Sequence, residues 1–544
     1  MTRLADPALS YIAPDTSVPV LDMTTGDALR ATALRHPQKT ALVEVTAPGQ
    51  PSLTGAASTA RRWTYDELMR DAERCARWLL TRFEPGERVC LWAPNVPEWV
   101  ILQYGAALAG LVLVTANPGL RAAELRYVLT QSQASGLLHT AEFRGTNMSA
   151  IAGEVADCVR ERFCLSDWHG EVLTCSSTAE LPTVLPTDPA QIQYTSGTTG
   201  QPKGALLHHR GLVTNAAYVA ARAGMNGSIL MSPMPLFHTA GAVLSSLGAI
   251  TTGSTYVLPL MFEPELVLTA IARERCEFLF GVPTMLIAML EHPRRGDVDL
   301  RSLKVASSGG APVPPELLRR IEREFGCDLI TVYGQTEASP IICQSSPADS
   351  QEDKANTAGY PLPQVEVRIA DPADGAIVAT GQEGEIQARG YQCMLGYFNM
   401  PEPTAAAVSA DGWLRTGDLG TMDERGYLRV TGRLKDMIIR GGENIYPAEV
   451  EARLIEHPAV AMAAVFGLPD EKWGEVVAVA IRLREGGKPE PDALRDFLRL
   501  QLAPHKIPTR WFCCSEFPMT GSGKIQKFRL RELAEAGGLA EFGH

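Results

Sequence analysis

The chain has no uninterrupted apolar run long enough to cross a bilayer. Its most membrane-like stretch, residues 100–116, is broken by Gln103, Gly105 and Gly110 and ends at Asn117-Pro118, which predicts a buried helix turning into a strand. Positive charge is not in excess either: a formal net charge of −12 argues against a nucleic-acid surface and favours solubility. The eleven cysteines are scattered, with only Cys513 and Cys514 adjacent. They form neither a C-x-x-C metal pair nor a secreted disulfide framework, so a reducing cytoplasm is the expected setting. The first residues, MTRLADPALSYIAPD, lack both a basic stretch followed by an apolar core and an Arg-rich amphipathic pattern, and no export signal is expected from them. The last four residues are Glu-Phe-Gly-His, not an SKL-type ending. Internal repeats, long low-complexity tracts and the usual nucleotide loop G-x-x-x-x-G-K-[ST] are also missing.

What is present has the size and balance of a large globular enzyme. At 544 residues, 45% apolar and 21% charged, the chain exceeds what one hydrophobic core usually holds, so two or more domains are expected. The most informative segment is YTSGTTGQPKG at 194–204, between an apolar stretch ending at Tyr194 and a helical pattern beginning near His209. Gly197, Gly200 and Gly204 let the backbone approach an anion closely. Thr195, Ser196, Thr198 and Thr199 add hydroxyl donors, and Lys203 adds a mobile positive charge. A flexible surface turn would need neither so many donors nor a terminal lysine.

From 264 to 337 helical and short, continuous apolar patterns alternate, as expected for an α/β domain whose strands are covered on both faces. SSGGAP (307–312) and YGQTE (333–337) fall where such strands end, the usual place for ligands. A Gly-rich stretch from 381 to 431 carries short β-like pieces, GEIQARG and GYLRVTG. Beyond Lys435 the patterns read helix, strand, strand, helix, strand, a small α+β unit of a size that folds on its own. The expected organisation is a multi-subdomain α/β domain over 1–434 and a small α+β domain over 435–544. The tract 46–60 is expected as an exposed insertion.

The segment at 194–204 resembles the signature loop of the adenylate-forming, AMP-binding superfamily. MPLFHTAG (234–241), SSGGAP, YGQTE, RTGDLG (415–420), GRLKDMIIRGGENIYP (432–447) and TGSGKIQK (520–527) extend the resemblance in the family's order, and the pattern is most similar to medium-chain fatty acyl-CoA ligases. The resemblance implies a reaction in which a carboxylate attacks the α-phosphorus of ATP, pyrophosphate leaves, and the thiol of coenzyme A then takes the acyl group. An enzyme that loads a carrier protein is the alternative, ranked second because no carrier domain with its Ser-bearing motif is expected within these 544 residues.

By the same resemblance, Thr195 to Lys203 would hold the phosphates, with Mg²⁺ offsetting their charge. Glu337 would help hold Mg²⁺ and Thr336 would contact the α-phosphate. Asp418 would accept from the ribose hydroxyls, with Arg433 as a cationic neighbour; a purely structural Asp–Arg pair ranks below that role. Gly309, Gly310, Ala311 and Pro312 would line the adenine and Tyr333 would stack on it. Lys524 is the implied catalytic cation of adenylation, and Lys435 the hinge about which a mobile small domain turns. Gly441, Gly442 and Glu443 would then face the pantetheine thiol. His238 would sit near the acyl carboxylate or the thiol entrance. Residues 237–250 and 281–288 are apolar and offer no acidic anchor for an amino group, which suits a fatty or similar apolar acid. The expected partners are therefore a carboxylic acid, ATP and CoA, with no nucleic acid and no transmembrane segment, and a homodimer is left open.

Overall fold

The computed structural model describes residues 7–57, 60–195, 202–441, 443–484, 487, 489–520 and 525–542. Within them the apolar runs between 264 and 334 become the centre of a nine-stranded sheet. Its strand order is Tyr360–Pro361, Ile341–Gln344, Asp328–Gly334, Val305–Gly309, Phe278–Phe280, Ile229–Met231, Thr255–Pro259, Thr40–Val45 and Arg62–Thr64. The strands from Asp328–Gly334 to Thr40–Val45 are parallel, and antiparallel pairs close both edges. Continuous apolar sequence is what two covered faces demand: Leu230, Phe278 and Ile330 point into one cluster and Met231, Leu279 and Leu329 into another.

Helices cover these strands, and their sequences show why they start and stop where they do. Pro264–Glu274, Pro283–Leu290 and Pro315–Phe325 each begin on proline, whose missing N–H costs nothing at a first helical position. The last of them buries Leu317, Leu318, Ile321 and Phe325 and ends on Gly326 at φ +68°, a left-handed stop that glycine takes without strain. The stretch 100–116 is a helix, Pro97–Leu108, buried along its whole length, followed by strand Val112–Ala116.

That strand belongs to a seven-stranded sheet in the order Gly396–Tyr397, Lys203–His208, Pro189–Thr195, Val112–Ala116, Arg88–Trp92, Gly136–His139, Glu161–Cys164. Pro189–Thr195 and Lys203–His208 form an antiparallel hairpin, with Thr195 opposite Lys203. The interval between Tyr194 and His209 thus contains a strand, Lys203–His208, that the sequence reading did not separate from the loop. The Gly-rich stretch from 381 forms much of a five-stranded antiparallel sheet of Tyr11–Ile12, Val365–Ala370, Gly384–Gly390, Leu414–Met422 and Leu428–Arg433. The tract 46–60 is exposed at many positions but is pinned in the middle. Thr54 is fully buried and its hydroxyl donates to Glu98 Oε1 at 2.8 Å, so the expected exposed insertion is anchored at this position.

Past Leu434 the chain builds a six-stranded sheet around the long hairpin Val460–Asp470 and Gly474–Leu483. Ile438, Val450, Leu454, Val479 and Trp511 pack on one face of it and Phe466, Phe512 and Leu530 on the other. These two clusters contain no residue before Ile438. Among the described residues a single ion pair joins the two sides of this divide, Glu291 to Arg484 at 3.3 Å, both about two-fifths exposed.

Close packing at one helix crossing yields a direct test. A Cβ on Gly105 would lie 2.7 Å from Cys75 Sγ, inside van der Waals contact, whereas one on Gly153 meets nothing within 4 Å. Gly105→Ala is expected to destabilise the large domain by about 1–3 kcal/mol through overpacking. Gly153→Ala is expected to be neutral or to stabilise by roughly 0.5–1 kcal/mol. Thermal unfolding midpoints of the two variants should move in opposite directions or differ clearly in size.

Candidate active site

Four neighbouring parallel strands end on one edge of the nine-stranded sheet, and each delivers a loop singled out by sequence. Asp328–Gly334 leads to the turn Thr336–Ala338, Val305–Gly309 to Gly310, Ala311 and Pro312, Phe278–Phe280 to residues 281–288, and Ile229–Met231 to the segment with His238. The N–H of Gly281 donates to Ser307 O at 3.1 Å, tying two of these loops together. Gly309 faces Val332 across the ladder, and a Cβ there would sit 2.3 Å from Val332 O, so the close approach itself requires glycine. Gly310 has φ +75°. Just before them, the hydroxyls of Ser307 and Ser308 are buried with no hydrogen-bond partner among the described residues.

Tyr333, Asp418 and Arg433 meet in one cluster. The Tyr333 hydroxyl donates to Asp418 Oδ2 at 3.0 Å, and Arg433 Nε lies 2.7 Å from Oδ1. Asp418 and Arg433 are direct cross-strand partners, so strand register brings the pair together. The structural Asp–Arg pair that ranked second in the sequence reading is therefore present. It leaves each carboxylate oxygen a further lone pair for a ribose hydroxyl. Burial, and next the Asp418 charge, push the Tyr333 phenol well above its ordinary range, so it stays a donor.

Glu337 and Thr336 are buried on the adjoining turn. Glu337 Oε1 accepts the Tyr397 hydroxyl at 2.6 Å, and its backbone carbonyl accepts Met394 N–H at 2.8 Å. Tyr397 was not foreseen: it sits in the two-residue strand Gly396–Tyr397, which pairs with Ala205 and Leu206. The only sequence signal for it was its place after glycine beyond GEIQARG. Lys203 Nζ lies 4.9 Å from the centroid of the same ring. Burial first, then the Glu337 charge, raise the Tyr397 phenol above its usual range.

The base of the Gly-Thr hairpin is braced from several sides. Tyr127 donates to Pro202 O at 2.8 Å, Tyr194 to Gln131 Oε1 at 2.6 Å, and Gln131 Nε2 to Phe398 O at 2.6 Å. Thr195 Oγ1 donates to Lys203 O at 3.3 Å. A Cβ on Gly204 would come 2.8 Å from Ile192 Cγ2. Ser196, Gly197, Thr198, Thr199 and Gly200 lie outside the described residues, as do Gly442 and Lys524.

His238 is half-buried, and its Nδ1 accepts the N–H of Ala240 at 3.2 Å, which puts the proton of a neutral ring on Nε2. The loop before it is clamped by Asn95, another residue that sequence did not reveal. Its amide accepts from Leu236 N at 2.9 Å and donates to Met234 O at 3.1 Å. The π-helix Ala240–Leu247 follows, buried along Gly241 to Leu247. Such widened turns recur at functional sites.

Lys435 occupies the turn Leu434–Asp436 that follows Arg433. Its ammonium lies below the usual lysine range because desolvation, and then Arg433, outweigh the pull of Asp436, Asp418 and Glu337. Gly441, at φ +60°, follows strand Ile438–Arg440 and donates its N–H to Trp473 O at 2.8 Å, and Glu443 opens the partner strand Glu443–Ile445.

No group of three or more His, Cys, Asp or Glu side chains that could hold a metal occurs among the described residues. Glu337 has Oε1 engaged by Tyr397, and no described residue is hydrogen-bonded to Oε2. One buried carboxylate with an oxygen to spare fits an ion such as Mg²⁺, which keeps most of its shell as water and substrate phosphate. No helix among the described residues is long and apolar enough to cross a membrane.

Comparison with known proteins agrees with this geometry. The AMP-binding enzyme family matches residues 29–398, and the AMP-binding enzyme C-terminal domain matches residues 449–524. The chain is 38% identical over 526 residues to the putative acyl-CoA synthetase YngI of Bacillus subtilis, covering 90% of this chain and 96% of that protein. It is 34% identical over 561 residues to the mitochondrial medium-chain acyl-CoA ligase ACSF2 of Danio rerio, covering 97% and 91%. Its fold is similar to ATP-bound MatB from Rhodopseudomonas palustris, with a TM-score of 0.84 at 27% identity, covering 95% of this chain and all of that one. The chain belongs to the AMP-binding enzyme family, in its acyl-CoA synthetase branch.

Proposed function

We propose that this protein joins a medium-chain fatty acid, or an apolar acid of similar shape, to coenzyme A through an acyl-adenylate made from ATP. The observation that carries this reading is the single sheet edge on which the Gly309 loop, Glu337, His238 and the apolar segments 237–250 and 281–288 emerge side by side, tied through Tyr397 to the base of the Gly-Thr hairpin. The first step crowds a carboxylate against a triphosphate, so it needs cations and oriented donors already in place. Lys203 and the hairpin hold the phosphates, Asp418 holds the ribose, and Gly309 to Pro312 with Tyr333 flank the adenine. Mg²⁺, when bound at Glu337, offsets the charge of the phosphates. Residues 237–250 and 281–288 offer apolar side chains and no acidic anchor beside the His238 loop, which suits an apolar acyl chain.

Two separate sets of core clusters support a domain boundary at Lys435, with 1–434 and 435–544 as the two bodies. Rotation about Lys435 would first present Lys524 to the carboxylate and α-phosphate, then replace it with the face of Gly441, Gly442 and Glu443 for the thiol. Lys524, His238 and Thr336 take the catalytic roles. The relatives named as CoA ligases favour CoA over a carrier protein as acceptor, and eleven free thiols suit a reducing cytoplasm.

Lys524→Ala is expected to abolish most acid-dependent pyrophosphate release, by about a hundredfold or more, while thioester formation from supplied acyl-adenylate falls far less. Equal loss in both partial reactions refutes its role. Asp418→Asn is expected to weaken AMP binding by about tenfold or more, because a charged acceptor for the ribose is lost. Equilibrium titration with AMP measures this, and unchanged affinity removes Asp418 from the site. A pyrophosphate-release screen across acids of increasing chain length and ring content, with and without CoA, is expected to peak at medium-chain acids.

A further inference from the structure

We infer that Tyr397 is a positioning residue that holds the Glu337 carboxylate and the Lys203 ammonium in fixed relation, so that the metal side and the phosphate side of the nucleotide site behave as one piece. The inference rests on the roles proposed above for Glu337 and Lys203. Its basis is that two opposite charges meet different parts of one side chain. The phenol edge donates to Glu337 Oε1 at 2.6 Å, and the ring face lies 4.9 Å from Lys203 Nζ. A direct Lys–Glu pair would neutralise both groups and leave neither ready for a ligand. A phenol between them spends one lone pair of the carboxylate and none of the ammonium's donors, because a ring face attracts a cation through its quadrupole.

The surrounding backbone is organised around the same contact. Met394 N–H reaches Glu337 O at 2.8 Å, Leu395 N–H reaches Leu206 O at 2.9 Å, and Phe398 N–H reaches Gly204 O at 2.8 Å, so one short segment grips both the Glu337 turn and the strand that starts at Lys203. Tyr397 itself is anchored through its N–H to Thr404 Oγ1 at 2.9 Å. A Cβ on the preceding Gly396 would fall 2.9 Å from Thr404 Cγ2, so the approach that seats Tyr397 depends on glycine there. With Oε1 held, the carboxylate cannot spin freely, and Oε2 is presented in one direction to an incoming cation. Tyr397 touches neither substrate nor metal in this scheme and acts through Glu337 and Lys203.

Three variants of the full chain, Tyr397→Phe, Tyr397→Leu and Glu337→Gln, test this. The readouts are the affinity of Mn²⁺ for the enzyme bound to the α,β-methylene analogue of ATP, followed by electron paramagnetic resonance, the metal-free affinity for that analogue, and the thermal midpoint. Tyr397→Phe keeps the ring and is expected to weaken Mn²⁺ about fivefold to twentyfold, the scale of one hydrogen bond to a charged group, with metal-free nucleotide affinity within about twofold. Tyr397→Leu removes the ring as well and is expected to weaken metal-free nucleotide binding about threefold or more. Wild-type or tighter Mn²⁺ binding by Tyr397→Phe, while Glu337→Gln loses it, overturns the inference and spares the assignment of Glu337. Unchanged Mn²⁺ binding by Glu337→Gln overturns that assignment and the inference with it. Equal loss of metal-free and metal-dependent binding in Tyr397→Phe, with a lowered midpoint, shows that the ring only packs and also overturns the inference.

Discussion

Parallel strands point the same way, and that constraint of chain direction is what the site is built on. Because Asp328–Gly334, Val305–Gly309, Phe278–Phe280 and Ile229–Met231 are parallel neighbours, their outgoing loops must share an edge. Groups separated by a hundred residues, such as His238 and Glu337, are thereby brought to one side of the sheet without any long connection having to reach across it. Crossover helices on both faces keep the strands buried and rigid, so the loops differ in chemistry while their roots stay fixed.

A second sheet has to be locked to that edge, because the Gly-Thr hairpin does not belong to the first one. Segment 394–398 performs this joining with backbone hydrogen bonds to both partners and with the phenol of Tyr397. Charge is distributed with similar economy. Asp418 is shared between a guanidinium and a phenol, Glu337 has a phenol on one oxygen, and Lys435 lies within the influence of both acids. In this region each of the two acids is already partly compensated, a balance that suits the anionic substrates proposed for it.

Much of the fold was legible in the sequence. The alternation between 264 and 334 is clear because each apolar run is short and each helix begins with proline, so periodicity and punctuation agree. The small domain was readable for the same reason. Less legible was the strand Lys203–His208: only six residues long, it runs straight into a helix, and no Asn-Gly or Asp-Gly turn announces the hairpin. Tyr397 and Asn95 escaped notice because their importance comes from partners far away in sequence. A tyrosine in a two-residue strand and a lone asparagine before a helix carry no local pattern. The anchoring of Thr54 escaped notice for another reason, since a Gly-Ser-Thr-Pro tract looks solvated whether or not one hydroxyl in it is buried against Glu98.

The Glu291–Arg484 pair bears on the rotation proposed for the small domain. Contacts of this half-exposed kind contribute roughly 0–1 kcal/mol and weaken as salt is added. As an electrostatic fastening it resembles a magnet on a cupboard door more than a bolt: its contribution to holding the two sides together is small. Were the small domain to turn about Lys435 as proposed, the balance between its positions would follow the ionic composition around the protein, since this pair weakens as counter-ions gather.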